Sequence, residues 1–292
     1  MENKKNIVIP TKIVGVFEKS KNFGFVRPDD KKNFKKDIFI PKAFIKNARN
    51  GQKVVVEIIK ESVDGKKSEG KIVEILGFLD QVGIDMLSII KQFDLPSEFS
   101  KEVINEAKSV SLESISLKYR RDLRDQEIFT IDGEDAKDLD DAVYVEKKED
   151  RYKLIVSIAD VSHYVGENTA LDSEALKRGN SIYLVDRVIP MLPRKLSNNL
   201  CSLNPNEDKL TFSVEMEIDF KGKVVKNNFY KSVIRSKYRM TYDDVNKIFD
   251  YQRDKKSEKN GKNEKNENLS EEKKEIFFEN KKVFERYEKI SE

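Results

Sequence analysis

Between residues 11 and 77 the apolar positions fall in short runs. These are Lys12-Ile13-Val14-Gly15-Val16-Phe17-Glu18, Phe23-Gly24-Phe25-Val26, Asp37-Ile38-Phe39-Ile40-Pro41, Lys53 to Ile59, and Lys71 to Leu76. Gly, Asn, Asp and Pro separate them, as turns require. Five short strands in so short a segment predict a small closed β-barrel, because closure removes exposed edges.

The period changes after residue 77. Ile84, Leu87, Ile90 and Phe93 follow helical spacing until Leu95-Pro96 stops it. A second helix is expected from Ser97 to Ala107, with Ser97 as its cap. From 119 to 250 strands and helices alternate. Gln126–Ile131 and Ala142–Glu146 flank an acidic loop, and Tyr152–Ala159 is a strong strand. Leu171–Arg178 reads as a helix ending at Gly179. Leu210–Phe220 and Val224–Arg235 read as a hairpin around Lys221-Gly222-Lys223. Thr241-Tyr242-Asp243-Asp244 looks like a capping box opening a helix through Phe249.

The last stretch differs again. Residues 251–270 are dominated by Lys, Asn and Glu and read as low-complexity, disordered chain. In 271–292, Ile276, Phe277, Val283, Phe284 and Tyr287 regain helical spacing, yet their apolar face has no visible partner. The expected organisation is a linker (1–10), a barrel domain (11–77), a helical connector (78–118), a partial mixed α/β domain (119–250), a charged segment (251–270) and a C-terminal helix (271–292). The fold class is α+β multidomain, and the expectation is an incomplete chain.

Composition narrows the chemistry. The 292 residues carry one histidine, His163, and one cysteine, Cys201. That excludes a disulfide framework, a protein-only structural zinc site and two-histidine acid–base catalysis. Metal chemistry here has to use oxygen ligands and hard cations. A lone cysteine fits a reducing cytosol, and no apolar run is long enough to span a membrane or serve as a secretory signal. Residues 1–77 hold 18 Lys and Arg against 10 Asp and Glu, a surplus of eight; the rest carries a deficit of five. A basic unit beside an acidic one calls for an explanation, although a solvated charged face would give the same pattern.

The acidic loop is the chemically informative stretch. Thr130-Ile131-Asp132 leads into Asp138-Leu139-Asp140-Asp141-Ala142, so four carboxylates meet between two apolar strands. Such a crowd repels itself unless a cation sits among it. Magnesium uses few carboxylates and leaves room for water and phosphate oxygens, and two such ions suit phosphodiester displacement. The plain alternative is an exposed acidic turn. An EF-hand loop fits poorly, because Lys137 stands where its glycine belongs. Asp132-Gly133-Glu134 as the paired acids of an unrelated exonuclease class rests on three residues alone.

A second constellation is Lys21-Asn22-Phe23-Gly24-Phe25-Val26 followed by Asp37-Ile38-Phe39-Ile40. Phe23, Phe25 and Phe39 would share one face where bases stack, with Lys21, Arg27 and neighbouring lysines tracking phosphates. The same rings could instead fill the barrel, and the residues alone leave both readings open. A third stretch runs through Ser181-Ile182-Tyr183-Leu184 and Pro190-Met191-Leu192-Pro193 to Leu196-Ser197 and Leu200-Cys201-Ser202-Leu203. Tyr183 is either a core aromatic or a stacking wall, and Cys201 reads as a buried structural thiol.

In order and spacing these stretches resemble the ribonuclease II/ribonuclease R family over residues 11–250. Residues 11–77 look like its second cold-shock (OB) domain, and residues from about 119 look like the first half of its catalytic RNB domain. The resemblance implies a cytoplasmic, magnesium-dependent 3′→5′ exoribonuclease that hydrolyses single-stranded RNA to nucleoside 5′-monophosphates. It implies that Asp132, Asp138, Asp140 and Asp141 hold metal and serve catalysis, Asp141 above all. It also implies that Tyr183 packs on the 3′-terminal nucleotide. The later half of the RNB domain, with its catalytic arginine, and the C-terminal RNA-binding domain have no counterpart here. The chain is then a fragment, the product of an interrupted gene or a true short protein. It is expected to be monomeric, with single-stranded RNA as partner and a separately encoded C-terminal half as a further candidate. The competing reading is a non-catalytic RNA-binding module built on the cold-shock barrel.

Overall fold

A computed structural model describes residues 12–61, 67–111, 117–247 and 249. The linker expected at 1–10, the segment 251–270 and the helix 271–292 lie outside these residues. The chain divides into two compact units. One holds residues up to Phe99 together with Ser181–Ile189, and the other holds Ser100–Asn180 and the chain from Pro190 onward.

In the first unit β1 (Lys12–Lys19), β2 (Phe23–Pro28), β3 (Ile38–Pro41), β4 (Gln52–Lys60) and β5 (Glu69–Phe78) close into a barrel in the order β1-β2-β3-β5-β4. The β3–β5 seam is parallel and the others antiparallel. Strand alternation sends Ile13, Phe17, Val26, Ile38, Ile40, Val54, Val56 and Ile72 into one core. Gly24 is required there, because a Cβ at that position would overlap the Phe17 ring. Lys53 of β4 is buried, and its ammonium pairs with Asp29, the residue after β2. Helix α1 (Ile84–Gln92) packs on β1 and β5.

The second unit opens with α2 (Lys101–Ser109), which begins later than the sequence suggested. Its cap is Ser100 rather than Ser97: the Ser100 hydroxyl accepts from the Val103 amide at 3.3 Å. Val103 and Ala107, one helical turn apart, are the buried positions. The register that buries them, not the first capping residue after Pro96, sets the start of the helix.

The chain then forms β6 (Arg121–Asp122), β7 (Phe129–Asp132), β8 (Asp141–Lys147), β9 (Arg151–Ala159), α3 (Val161–Tyr164) and α4 (Ala170–Arg178). The hairpin of β10 (Ile182–Tyr183) and β11 (Val188–Ile189) groups with the first unit. A π-helical turn (Leu196–Leu200), β12 (Asp208–Asp219), β13 (Val224–Arg235) and β14 (Tyr238–Thr241) complete the described chain apart from the start of the last helix. The sheet runs β14-β7-β8-β9-β12-β13-β6, and both edge strands lie parallel to their neighbours. The capping box is present: Thr241 Oγ1 accepts from the Asp244 amide, and Asp244 Oδ2 accepts from the Thr241 amide.

The centre of this sheet is polar on one face. Ser157, Thr211, Ser213 and Ser232 are fully buried, and their hydroxyls form a chain with O···O distances of 2.6–2.7 Å. Buried hydroxyls persist only when partnered, and these partner one another. Beside them the Arg120 guanidinium donates to Asp160 at 2.5 Å and to the Thr211 and Ser232 carbonyls at 3.2 Å. The opposite face carries Val156, Ile158, Phe212, Val214 and Phe229, of which Ile158, Phe212 and Phe229 are exposed.

Candidate functional site

The acidic loop owes its shape to how β7 and β8 part. The two strands share one registered pair, Phe129 with Val143, and then diverge. Phe129 is buried with Met240 and held by Val143, which anchors the base of the loop. Asp132 ends β7 and Asp141 begins β8, where it pairs with Ile158 of β9.

Between them Leu139 is the hydrophobic pin, 1% exposed. Its amide donates to the Ser202 hydroxyl at 3.1 Å, and its carbonyl accepts from the Leu203 amide at 2.9 Å. The next carbonyl, that of Asp140, accepts from the Ala159 amide at 2.9 Å. The Leu200–Leu203 stretch is therefore a clamp on the acidic loop. Cys201 within it is buried, and burial, reinforced by the nearby Asp140 charge, pushes its thiol up to about 12.

Two of the four acids, Asp132 and Asp140, are perturbed by their acidic neighbours. Asp132 is half-buried, and its Oδ2 is buried with no hydrogen-bond partner among the described residues. Desolvation raises its carboxyl above the ordinary aspartate value, and Asp141 and Asp138 raise it further, while Arg239 opposes them. Asp140 is raised by desolvation first and then by Asp138, Asp141 and Asp132. Asp132 and Asp140 are thus each raised by burial and by neighbouring aspartates of the same loop.

Among the described residues, no group of three or more His, Cys, Asp or Glu side chains gathers as a ready-made metal cage. Magnesium does not need one, since it is commonly held by one or two carboxylates and keeps several waters. The all-oxygen donor set, the mutual repulsion and the orphaned Asp132 oxygen fit such a cation.

The barrel carries the second constellation. Phe23, Phe25 and Phe39 touch one another with ring centroids 5.5–5.8 Å apart. Phe23 is exposed and the other two half-buried, while Val26, Ile38 and Ile40 beside them point inward. The rings therefore lie outside the barrel, not in its core. Lys21 is exposed, and Arg27 makes an exposed ion pair with Glu18 at 3.4 Å. Tyr183 stands on the β10–β11 hairpin of the first unit and is 64% exposed, so it is no core aromatic.

Two residues escaped the sequence reading. The Lys67 ammonium lies 4.1 Å from the Phe25 ring centroid and pairs with Asp37 at 3.7 Å. It arrives just ahead of β5, which the parallel β3–β5 seam places beside Phe39, and no local pattern announces that. The other is Arg239 of β14. Its Nη2 donates to the Glu134 carbonyl at 2.6 Å and to the Ala136 carbonyl at 2.8 Å, inside the acidic loop.

The RNB domain model matches residues 120–287, more than half of the chain. The chain belongs to the RNB family. A cold shock domain model matches residues 25–100 of this RNB chain. Ribonuclease R of Thermotoga maritima is 52% identical over 244 residues, which cover 82% of this chain and 34% of that relative. The RNB chain thus spans about a third of the length of this curated relative. Among solved structures, Mycoplasma genitalium RNase R in complex with ribose-methylated single-stranded RNA superposes with a TM-score of 0.76 at 31% identity, covering 83% of this chain and 39% of that one. The same enzyme in complex with double-stranded RNA gives 0.76 and 31%, covering 85% and 45%.

Proposed function

We propose that this RNB chain carries the acidic half of the active site of a magnesium-dependent 3′→5′ exoribonuclease acting on single-stranded RNA in the cytoplasm, with nucleoside 5′-monophosphates as products. The observation that carries the reading is the acidic loop. It is pinned at Leu139, burial and neighbouring aspartates raise its Asp132 and Asp140 carboxyls, and it leaves the Asp132 Oδ2 without a partner among the described residues.

Asp132, Asp138, Asp140 and Asp141 are the residues that would hold the cation. Magnesium, when bound, supplies positive charge at the phosphate and a more acidic water. Leu139 and its clamp hold the carboxylates against their own repulsion. Phe23, Phe25 and Phe39 offer π-faces on which successive bases stack, and Lys21, Arg27 and Lys67 offer charge to the backbone. Tyr183 is assigned to the 3′-terminal nucleotide on the family resemblance.

A second reading is a non-catalytic RNA-binding module, favoured by the exposed aromatic cluster on the barrel and by the small share of its relatives that the chain covers. On this reading the 292 residues, as a monomer, bind single-stranded RNA in a salt-dependent way, and hydrolysis requires the catalytic half of the relatives that these residues do not span. That half is a candidate partner.

The test uses the 292-residue chain with a 3′-labelled oligoribonucleotide and magnesium. The expected result is binding without mononucleotide release, and release on adding the remaining RNB and C-terminal portions of a close relative. In that complemented form Asp141→Asn should abolish hydrolysis while leaving RNA binding intact. Normal cleavage by the Asp141→Asn form would refute the acidic-site reading, and robust release by the 292 residues alone would refute the need for the added portions.

A further inference from the structure

The acidic loop is secured unequally. Its second half is held by buried backbone bonds: Leu139 to Ser202 and Leu203, and Asp140 to Ala159. Its first half, Gly133 to Lys137, is exposed apart from the half-buried Ala136 and closes on itself through one bond, from the Ala136 amide to the Gly133 carbonyl at 3.1 Å. Onto this half comes the Arg239 guanidinium, with one nitrogen bridging the Glu134 and Ala136 carbonyls.

The placement is built into the sheet. β14 runs parallel to β7, which sets Arg239 beside Thr130 and Thr241 beside Asp132. Met240, between them, is 4% exposed and packs on Phe129. Because side chains alternate along a strand, burying Met240 turns Arg239 to the other face. The capping box at Thr241 and Asp244 ends β14 there, so the strand cannot slide without losing both capping bonds.

We infer that Arg239 is a positioning residue that closes the first half of the acidic loop and holds Asp132 and Asp138 over the same volume as Asp140 and Asp141. The inference rests on the reading of these acids as a cation site. Two carbonyls accepting from one guanidinium fix the direction in which the loop leaves Asp132. The guanidinium also brings positive charge near the Asp132 carboxylate. Groups that orient metal-binding side chains in this way typically change affinity by about 10–100-fold when removed.

The experiment uses the 292-residue chain and Mn²⁺ as the probe, followed by electron paramagnetic resonance, beside amide hydrogen exchange without metal. Arg239→Ala is expected to weaken Mn²⁺ binding about 10-fold or more. It should speed exchange at the Ala136 amide and leave exchange at Leu139 and the melting temperature unchanged. Arg239→Lys, whose ammonium can reach a carbonyl but lacks the planar fork, should restore part of the affinity. Unchanged Mn²⁺ affinity and unchanged Ala136 exchange in Arg239→Ala would overturn the inference. So would a loss accompanied by lower melting temperature and faster exchange across the whole sheet. Asp132→Asn/Asp140→Asn separates the two readings. If the unsubstituted chain binds Mn²⁺ no better than this variant, the cation-site reading fails, and Ala136 exchange alone then decides whether Arg239 holds the loop.

Discussion

The buried pair of Arg120 and Asp160 should be the costliest ion pair to break in the second unit. Both side chains are under 5% exposed, and the guanidinium also donates to the Thr211 and Ser232 carbonyls. Arg120→Met keeps most of the side-chain volume but leaves the Asp160 carboxylate buried without its main partner. Removing one partner of such a pair costs about 3–5 kcal/mol, a large part of the roughly 5–15 kcal/mol that holds a domain together. Arg120→Met/Asp160→Leu leaves no buried charge and should cost much less than Arg120→Met alone. Because the chain has two units, an unfolding midpoint does not by itself give the free energy lost in one of them. Exchange of the Ala159 and Asp160 amides, which donate to the Asp140 and Leu210 carbonyls, reports the local free energy directly. A loss below about 1 kcal/mol in Arg120→Met, against the scale for buried pairs, would refute the reasoning. A double variant at least as unstable as the single one would do the same.

Two further outcomes are expected. Phe23→Ala removes the exposed ring of the barrel cluster and should weaken binding to oligouridylate on the order of 10-fold, from roughly 1–3 kcal/mol per stacked base, without altering the melting temperature; a loss under about 2-fold in a titration would mean that the bases do not use this face. Asp132 and Asp140 have folded pKa values above their unfolded ones, so in the absence of cation they oppose folding near neutral pH, and that opposition fades as pH falls through the raised values. Asp132→Asn/Asp140→Asn should therefore be more stable than the unsubstituted chain at pH 7 and lose that advantage in acid, and magnesium should shrink the difference at pH 7; a difference independent of pH in denaturation curves would contradict the electrostatic account.

Much of this architecture could be read from the chain because the informative signals are local. Five runs of alternating residues with turn chemistry between them predict a barrel, and the barrel forms with Phe17, Val26, Ile38 and Ile40 inside. The hairpin around Gly222 and the capping box at Thr241 are also encoded within a few residues, and both stand where the pattern puts them. The start of α2 is less legible. Ser97 and Ser100 are both good caps, and the choice falls to tertiary burial of Val103 and Ala107, which the serines do not reveal. For the phenylalanines of β2 and β3, alternation places them on one side but not on a named side. Closure of the barrel over Val26 and Ile38 turns Phe23, Phe25 and Phe39 outward.

The acidic loop divides along the same line. Its carboxylates are visible because five aspartates crowd the stretch from Asp132 to Asp141, and crowding of like charge is itself a physical signal. What holds them is not visible. Ser202 reaches Leu139 from 63 residues away, and Arg239 reaches Glu134 and Ala136 from 105 and 103 residues away. In each case the acceptor or donor on the loop is backbone, which every residue type supplies alike. A contact between a side chain and a distant carbonyl constrains the identity of only one partner, so the pairing leaves no mark on the loop sequence. The acids of such a loop can therefore be read from composition and spacing. The part that positions it depends on strand register, here the parallel seam that sets Arg239 beside Thr130, and it becomes apparent only once that register is known.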